Sequence, residues 1–341
     1  MRNAVKVSVV ITVYNLEKYI EEAIRSALCQ TYPAYEVIIV DDCSTDNSAF
    51  CINKFKDVIT YIKMAENSGV LMATLEGIKR STGDIVAFLD GDDIWMPTKL
   101  EETVRVFQEN EKVILVTHNY DIIDGEGYLI EKSDLTKKNI ALITKDQPDI
   151  ELLSARVKNS ILGYRGMWLG SAYCIRRTAF NQIEFDVFMD SFDIPNFRRM
   201  CYQDHLIAQY TILTNHSQAQ VFLIDKRLFK YRLYGANSSG VSNTVESALS
   251  TIKRGSANVL ATSTLVSRFD VSDDIKRRQR YMQLEYEYLK ALYSKKYLVA
   301  IKLFRKLMRS TWTKDQKGKE IKRLSAVLLL GPSKFLALKS K

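Results

Sequence analysis

The chain has 341 residues, 46% of them hydrophobic, with 49 Lys and Arg against 40 Asp and Glu and a formal net charge of +9. That length and apolar content suit one large domain with additions, or two domains, and exclude wholesale disorder. The charge is regional. Residues 1–120 carry 12 basic against 18 acidic side chains, residues 121–240 carry 15 against 14, and residues 241–341 carry 22 against 8, so the basic character belongs to the C-terminal third.

In chain order, the first apolar run is Val7 to Val13. It is short, lacks a small-residue cleavage site and leads straight into Tyr14-Asn15, which makes it a strand and not a signal peptide. Leu16 to Cys29 follows with Leu16, Ile20, Ala23, Ile24, Ala27 and Leu28 on one helical face. Strand patterns recur at Val37 to Val40, Val58 to Ile62, Ile85 to Leu89 and Val113 to Thr117, with helical patterns at Val70 to Lys79 and Lys99 to Gln108. Strand and helix alternating in this rhythm predict an α/β fold, a mostly parallel sheet with helices on its faces. Residues 121–160 are polar and irregular, with a turn at Gly125 and Gly127, and residues 161–240 mix short strands and loops with a helix near Asp204 to Thr214.

From about residue 245 the pattern is helical. Leu289, Tyr293, Tyr297, Ile301, Phe304, Met308 and Trp312 step by three or four, with Lys and Arg filling much of the remainder, and "RLSAVLLLGPSKFLALKSK" ends the chain. No apolar stretch approaches the roughly 20 residues that span a bilayer. The five cysteines have no CxxC spacing and an odd count, which fits buried thiols in a reducing cytoplasm better than a disulfide framework. The expected division is a catalytic domain over residues 1–240, with halves 1–120 and 121–240, followed by a basic helical region over 241–341.

Two strands end in acid. Val37 to Val40 runs into Asp41-Asp42, and Ile85 to Leu89 runs into Asp90-Gly91-Asp92-Asp93. Ligands of open parallel sheets bind beyond the carboxyl ends of the strands, where Thr12, Tyr14 and Asn15 also arrive. Carboxylates held together need a cation. Mn2+ or Mg2+ takes oxygen ligands and completes its shell with water or phosphate oxygens, so the pattern points to a nucleotide diphosphate. Asp41, Asp42 and Asp46 can equally cap the helix that follows, and an acidic turn is the plain alternative for Asp90 to Asp93.

"VSVVITVYN", "VIIVDDCSTDNS" and "ENSGVLMATLEGIKRSTGDIVAFLDGDD" resemble, in order and spacing, the successive motifs of the family 2 glycosyltransferases over roughly residues 6–120, with weaker matches to about 240. The resemblance implies a GT-A fold, Rossmann-like, and transfer of a sugar from a nucleotide diphosphate donor to an acceptor hydroxyl with inversion. It places Thr12, Tyr14 and Asn15 by the base and Asp41 or Asp42 on the base, commonly uracil. Asn67 and Gly69 match the "NxG" before the second helix. Asp90 and Gly91 lie by the ribose or metal, and Asp90 and Asp92 fill the metal-binding DxD. In "CYQDHLIAQY" Asp204 is the candidate catalytic base, with Gln203 where the family more often has Glu. "GMWLGSAYCIRR" resembles the glycine loop before the acid pair. Trp168 and Gly170 there, His205 beside the base and Arg232 toward the diphosphate are weaker pocket candidates. Tyr234 stands where a late family segment often carries His, so no histidine ligand is expected.

The implied cofactor is a divalent metal, Mn2+ or Mg2+. The implied partners are a nucleotide-sugar donor and a glycan or lipid-linked glycan acceptor, with peripheral contact between the C-terminal region and the cytoplasmic face of a membrane. For most of residues 281–312 packing on the catalytic domain is the favoured reading, and the final segment is the better membrane candidate. A sugar-nucleotide nucleotidyltransferase should carry a glycine-rich basic loop after the first strand, and "TVYNLEKY" is not one. No GxGxxG follows that strand, which argues against an oxidoreductase. No nucleic-acid-binding module accompanies the basic tail. Intact Asp90, Asp92 and Asp204 argue against a dead sensor.

Overall fold

A computed structural model describes residues 4–130, 140–164, 169–215, 218–235, 244–309 and 314–339. The chain divides into two compact units, Met1–Leu233 and Tyr234–Lys341.

The first unit runs β1 (Val7–Val13), α1 (Ile20–Leu28), β2 (Glu36–Asp41), α2 (Ser48–Asn53), β3 (Thr60–Lys63), α3 (Val70–Arg80), β4 (Ile85–Asp90), β5 (Ile94–Trp95), α4 (Lys99–Glu109) and β6 (Val113–Ile123). It continues with α5 (Ile150–Leu162), β7 (Cys174–Arg176), α6 (Gln182–Asp190), α7 (Phe197–Met200), α8 (Gln203–Thr214) and β8 (Gln220–Arg232). The strands form one sheet in the order β3-β2-β1-β4-β7-β6-β8-β5. β1 pairs in parallel with β2 and β4, and β2 with β3, while β7 runs antiparallel to β4 and β6. This is the mixed, mostly parallel sheet of a GT-A fold.

Every residue of β1 is buried, as a strand covered by helices on both faces must be. Its β-branched composition suits that position. β1 is also where the chain order reverses, with β2 on one side and β4 on the other. The register pairs Val13 with Asp41 and Thr12 with Asp90. The two acid-ended strands therefore finish level with each other on either side of the β1 end.

Three elements differ from the sequence pattern, each for a local reason. α1 begins at Ile20 and not at Leu16, because Asn15 takes a left-handed φ of 53° and Leu16–Tyr19 closes a separate turn, with the Tyr19 amide donating to the Leu16 carbonyl at 2.9 Å. β6 runs on through polar His118, Asn119 and Asp121 because β8 pairs beside it in parallel as far as Ile123. α5 lies in a stretch whose pattern reads as irregular. Its start is set by Asp149, whose side chain accepts from the Leu152 amide at 2.8 Å.

The second unit contains α9 (Val245–Ser267), α10 (Asp273–Tyr293), α11 (Tyr297–Met308), α12 (Lys314–Leu330) and α13 (Pro332–Lys339). Thr244 and Ser272 cap the first two of these. Tyr288, Leu292, Ala300, Leu307, Val327 and Leu336 form its core. No described helix is long and apolar enough to cross a membrane.

α3 lies tightly on β1 at Gly77, where an added Cβ would sit 2.2 Å from Val10 Cγ1. Gly77→Ala is therefore expected to lower stability by about 1–3 kcal/mol in urea unfolding, despite alanine's better helix propensity.

Candidate active site

Of the acids at the sheet edge, three are held by the protein's own donors. Asp41 is fully buried, accepting the Ser44 amide at 2.7 Å and the Tyr61 hydroxyl at 2.8 Å. Asp42 receives the Ser68 amide at 2.6 Å and the Gly69 amide at 2.8 Å, one on each oxygen. It therefore shapes the turn into α3, although burial still raises it above its usual range. Asp93 accepts the Ser171 hydroxyl at 2.6 Å and the Arg232 amide at 3.0 Å. The expectation of an Asp41 or Asp42 carboxylate directed at a base meets this arrangement: both carboxylates already serve the loops around them. Asn67 joins the same turn through its amide, which donates to the Asp42 carbonyl at 3.3 Å.

Asp90, Asp92 and Asp204 are placed differently. Asp90 ends β4 and accepts on a single oxygen, Oδ1, from Thr12 at 3.3 Å and from Gln203 Nε2 at 3.0 Å. Burial raises it well above the ordinary carboxylate range, and the charges of Asp204 and Asp92 add to the shift. Asp204, in the first turn of α8, is pushed up to about 7 by burial, partly offset by the Gly170 amide. Thr12, Asp90, Gln203 and Asp204, far apart in sequence, thus meet at one point. Gln203 suits this place: a Glu here would add another carboxylate beside Asp90, whereas the amide donates to it.

The remaining candidates divide. Tyr14 is half-exposed at the β1 end. Asn15 clips the β1 end to the β2 loop, accepting the Thr45 amide at 2.8 Å while its own amide donates to Ser44 at 3.0 Å. Gly69 has φ of 92°, and a Cβ there would lie 2.6 Å from the Arg199 carbonyl. Its role is close backbone approach. Gly91 donates to the Thr12 carbonyl at 3.0 Å, and a Cβ on it would lie 2.9 Å from that oxygen. A Cβ on Gly170 would lie 2.6 Å from Asp204 Oδ1 and 3.0 Å from Gln203 Nε2, so a side chain there would push both groups aside. His205 stacks on Tyr164 at 4.4 Å, and burial lowers it to about 4, which keeps it neutral. Trp168 lies outside the described residues.

The sequence leaves Arg232 open to two readings, contact with a diphosphate or a plain ion pair, and its contacts here are those of an ion pair with Glu22. Its side chain is 2% exposed, and Nε donates to the Asp92 carbonyl at 2.8 Å, Nη1 to the Gly125 carbonyl at 3.1 Å and Nη2 to Glu22 at 2.5 Å. The guanidinium also lies over the Tyr19 ring. Arg232 holds the acidic loop from behind. Ser171 was not evident in the sequence. It accepts the Asp90 amide at 3.0 Å, donates to Asp93, and takes the Trp95 indole N–H on its carbonyl at 3.1 Å. Nothing in "GSAYC" marks it, because its partners lie about 80 residues away.

Among the described residues, no three acidic, His or Cys side chains form a ready-made metal cage. Mg2+ and Mn2+ do not require one, since one or two carboxylates with substrate phosphates suffice. Asp92 and the second oxygen of Asp90 fit that donor set. Burial raises Asp93 as it does Asp90, so the shift by itself does not single out a metal ligand.

A mixed, mostly parallel sheet with carboxylates gathered where the strand order reverses is the architecture of the GT-A fold class. The model for the glycosyl transferase family 2 matches residues 8–161. An uncharacterized glycosyltransferase of Nostoc sp. is 32% identical over 247 residues, covering 71% of this chain and 69% of that protein. The chain therefore belongs to the family 2 glycosyltransferases. The UDP-Glc:alpha-D-GlcNAc-diphosphoundecaprenol beta-1,3-glucosyltransferase WfaP of Escherichia coli is 42% identical over 117 residues, 34% of this chain and 46% of that one. The chain thus spans less than half the length of that relative. Among solved structures, the mannosyltransferase PcManGT from Pyrobaculum calidifontis in complex with GDP-Man and Mn2+ has a TM-score of 0.54 at 14% identity, covering 99% of this chain and 85% of that chain. That likeness is one of fold.

Two outcomes follow from the site's electrostatics. Asp204 has a raised pKa in the folded state, so the fold binds more protons than the unfolded chain between about 4 and 7, and the acids destabilise it as pH rises through that window. Mn2+ is expected to raise the melting temperature more at pH 8 than at pH 5, measured by differential scanning fluorimetry, with Asp92→Ala removing the difference. Arg232→Ala removes donors from two part-buried carbonyls and from a half-exposed Glu22. It should cost about 1–3 kcal/mol in chemical denaturation.

Proposed function

We propose that the protein is an inverting, metal-dependent transferase that moves a hexosyl or hexosaminyl group from a UDP-sugar to a hydroxyl of a glycan or lipid-linked glycan, in the synthesis of a surface polysaccharide or glycolipid. One observation carries this reading: the Gln203-Asp204 turn of α8 meets the β4 end at Asp90, bonded through Gln203 at 3.0 Å. A donor diphosphate beside Asp90 and Asp92 would put its anomeric carbon within reach of Asp204. The name of the Escherichia coli relative, which specifies UDP-Glc and a diphosphoundecaprenol-linked acceptor, supports the donor and acceptor classes.

Inversion requires a single displacement. The acceptor oxygen forms its bond to the anomeric carbon as the bond to the diphosphate oxygen breaks, through an oxocarbenium-like transition state. Asp204 accepts the acceptor's hydroxyl proton. A carboxylate raised to about 7 is a better proton acceptor than an ordinary aspartate, and it works only when ionised, so turnover is lost as pH falls. Thr12 and Gln203 hold Asp90, leaving Oδ2 for the donor side. Tyr14, half-exposed at the β1 end, is available to the base. Mn2+ or Mg2+ held by Asp92 and Asp90 supplies neutralisation of the charge that develops on the leaving diphosphate. Asp41 and Asp42 then act on the nucleotide through the loops they shape.

The basic second unit supports contact with an anionic membrane. Leu328, Leu329, Leu330 and Leu338 are exposed there, among a strong excess of Lys and Arg. A lipid-linked acceptor at the cytoplasmic face would then be within the enzyme's reach.

A panel of nucleotide sugars with Mn2+, read by release of the nucleoside diphosphate, tests the reaction. Turnover is expected with one UDP-sugar, lost in Asp92→Ala. Asp204→Asn is expected to bind donor normally and lower kcat by roughly 10²–10⁴-fold. No release and no calorimetric binding with any donor would overturn the transferase reading, and wild-type turnover in Asp204→Asn would remove it as the base.

A further inference from the structure

The short segment Gly170–Tyr173 touches Asp90, Asp93 and Asp204. Gly170 lies against Asp204, and Ser171 joins Asp90 to Asp93. Tyr173 closes the segment just before β7, is 2% exposed, and has a hydroxyl with no hydrogen-bond partner. Asp204 Oδ1 is likewise buried and unpartnered. Buried polar atoms are rarely left so.

Both residues line one small cavity, whose other walls include the apolar Phe88, Leu115, Ile175 and Ile207. The space in it open to water is about 10 Å³, the room that a single molecule needs. The two groups are close enough that the Asp204 charge disfavours ionisation of the Tyr173 phenol, adding to the effect of burial. Two orphaned oxygens, one hydroxyl and one carboxylate, facing a water-sized void are complementary to one ordered molecule.

We propose that a water molecule occupies this cavity, accepting from the Tyr173 hydroxyl and donating to Asp204 Oδ1, and that Tyr173 is a positioning residue for the base. The inference rests on the reading of Asp204 as the base. The arrangement fixes the plane of the carboxylate. Oδ1 is tied from behind through the water, and the Gly170 backbone lies against the carboxylate and restrains its rotation. A general base acts only when its oxygen is held within reach of the proton it takes. A carboxylate free to swing into the cavity would spend much of its time out of line. Tyr173 touches neither donor nor acceptor, so its removal should act on the chemical step and leave donor affinity alone.

The test is a pair of high-resolution crystal structures, wild type and Tyr173→Phe, with steady-state kinetics on both and on Asp204→Asn. Phenylalanine keeps the ring and removes only a hydroxyl that has no protein partner, so the fold is expected to survive. Wild-type density should contain one water within hydrogen-bonding distance of Tyr173 Oη and Asp204 Oδ1, absent or displaced in the variant. The variant's kcat should fall about ten-fold or more with donor KM unchanged. A dry wild-type cavity overturns the inference. So does wild-type kcat in Tyr173→Phe beside an inactive Asp204→Asn, and that result leaves the base assignment standing. Retained transfer in Asp204→Asn overturns the base assignment, and this inference falls with it.

Discussion

Like charges gathered at the carboxyl edge of a parallel sheet repel each other, and at about 4 Å in a protein surface the repulsion is roughly 4 kcal/mol per pair. The crowding is felt at Asp90, where the charges of Asp204 and Asp92 add to burial, while β1 separates it from Asp41. The surrounding structure is organised by the need to contain it. Asp41, Asp42 and Asp93 each receive two protein donors, so their charge is spread over hydroxyls and amides. Asp90 receives its donors on one oxygen only. The acids therefore fall into two sets, one that shapes loops and one left with capacity for a cation and a diphosphate.

Containment comes from residues remote in sequence. Arg232 ties the carbonyls of Asp92 and Gly125 to Glu22 of α1, so one buried cation braces three segments of the first unit. Ser171 joins the backbone of Asp90 to the carboxylate of Asp93. A loop rich in aspartate would otherwise open toward water to separate its charges. These contacts keep it folded inward, and a divalent cation can then take up the field that remains.

The Gln203-Asp204 turn shows how neutral groups are used in the same setting. Gln203 donates to Asp90 where a second acid would repel it, while Asp204 keeps its charge-bearing role with a pKa pushed up to about 7. Burial alone produces that shift. In the proposed role as base, a carboxylate so tuned would match neutral pH without a histidine; His205 beside it, lowered to about 4 by burial, stays neutral and stacked on Tyr164.

Much of this was legible in the residues. Alternating β-branched and amphipathic periods specify the parallel sheet, since burial on two faces permits only continuous apolar strands, and "DGDD" after such a strand puts carboxylates at its carboxyl end. The acid at the end of an apolar strand brought out Asp90 and Asp92, and Asp204 came from the resemblance to the family. Pattern could not reveal α5, β6 beyond Thr117, or the part played by Arg232, because a helix cap, a partner strand and a buried guanidinium are defined by what lies against them. Nor could it separate the loop-shaping acids from the available ones, since Asp41 and Asp90 read alike at a strand end. Local sequence determines which segments are apolar and where charge accumulates, because those depend on neighbours along the chain. Tertiary structure alone decided which oxygens found donors, because the donors come from segments up to 210 residues away.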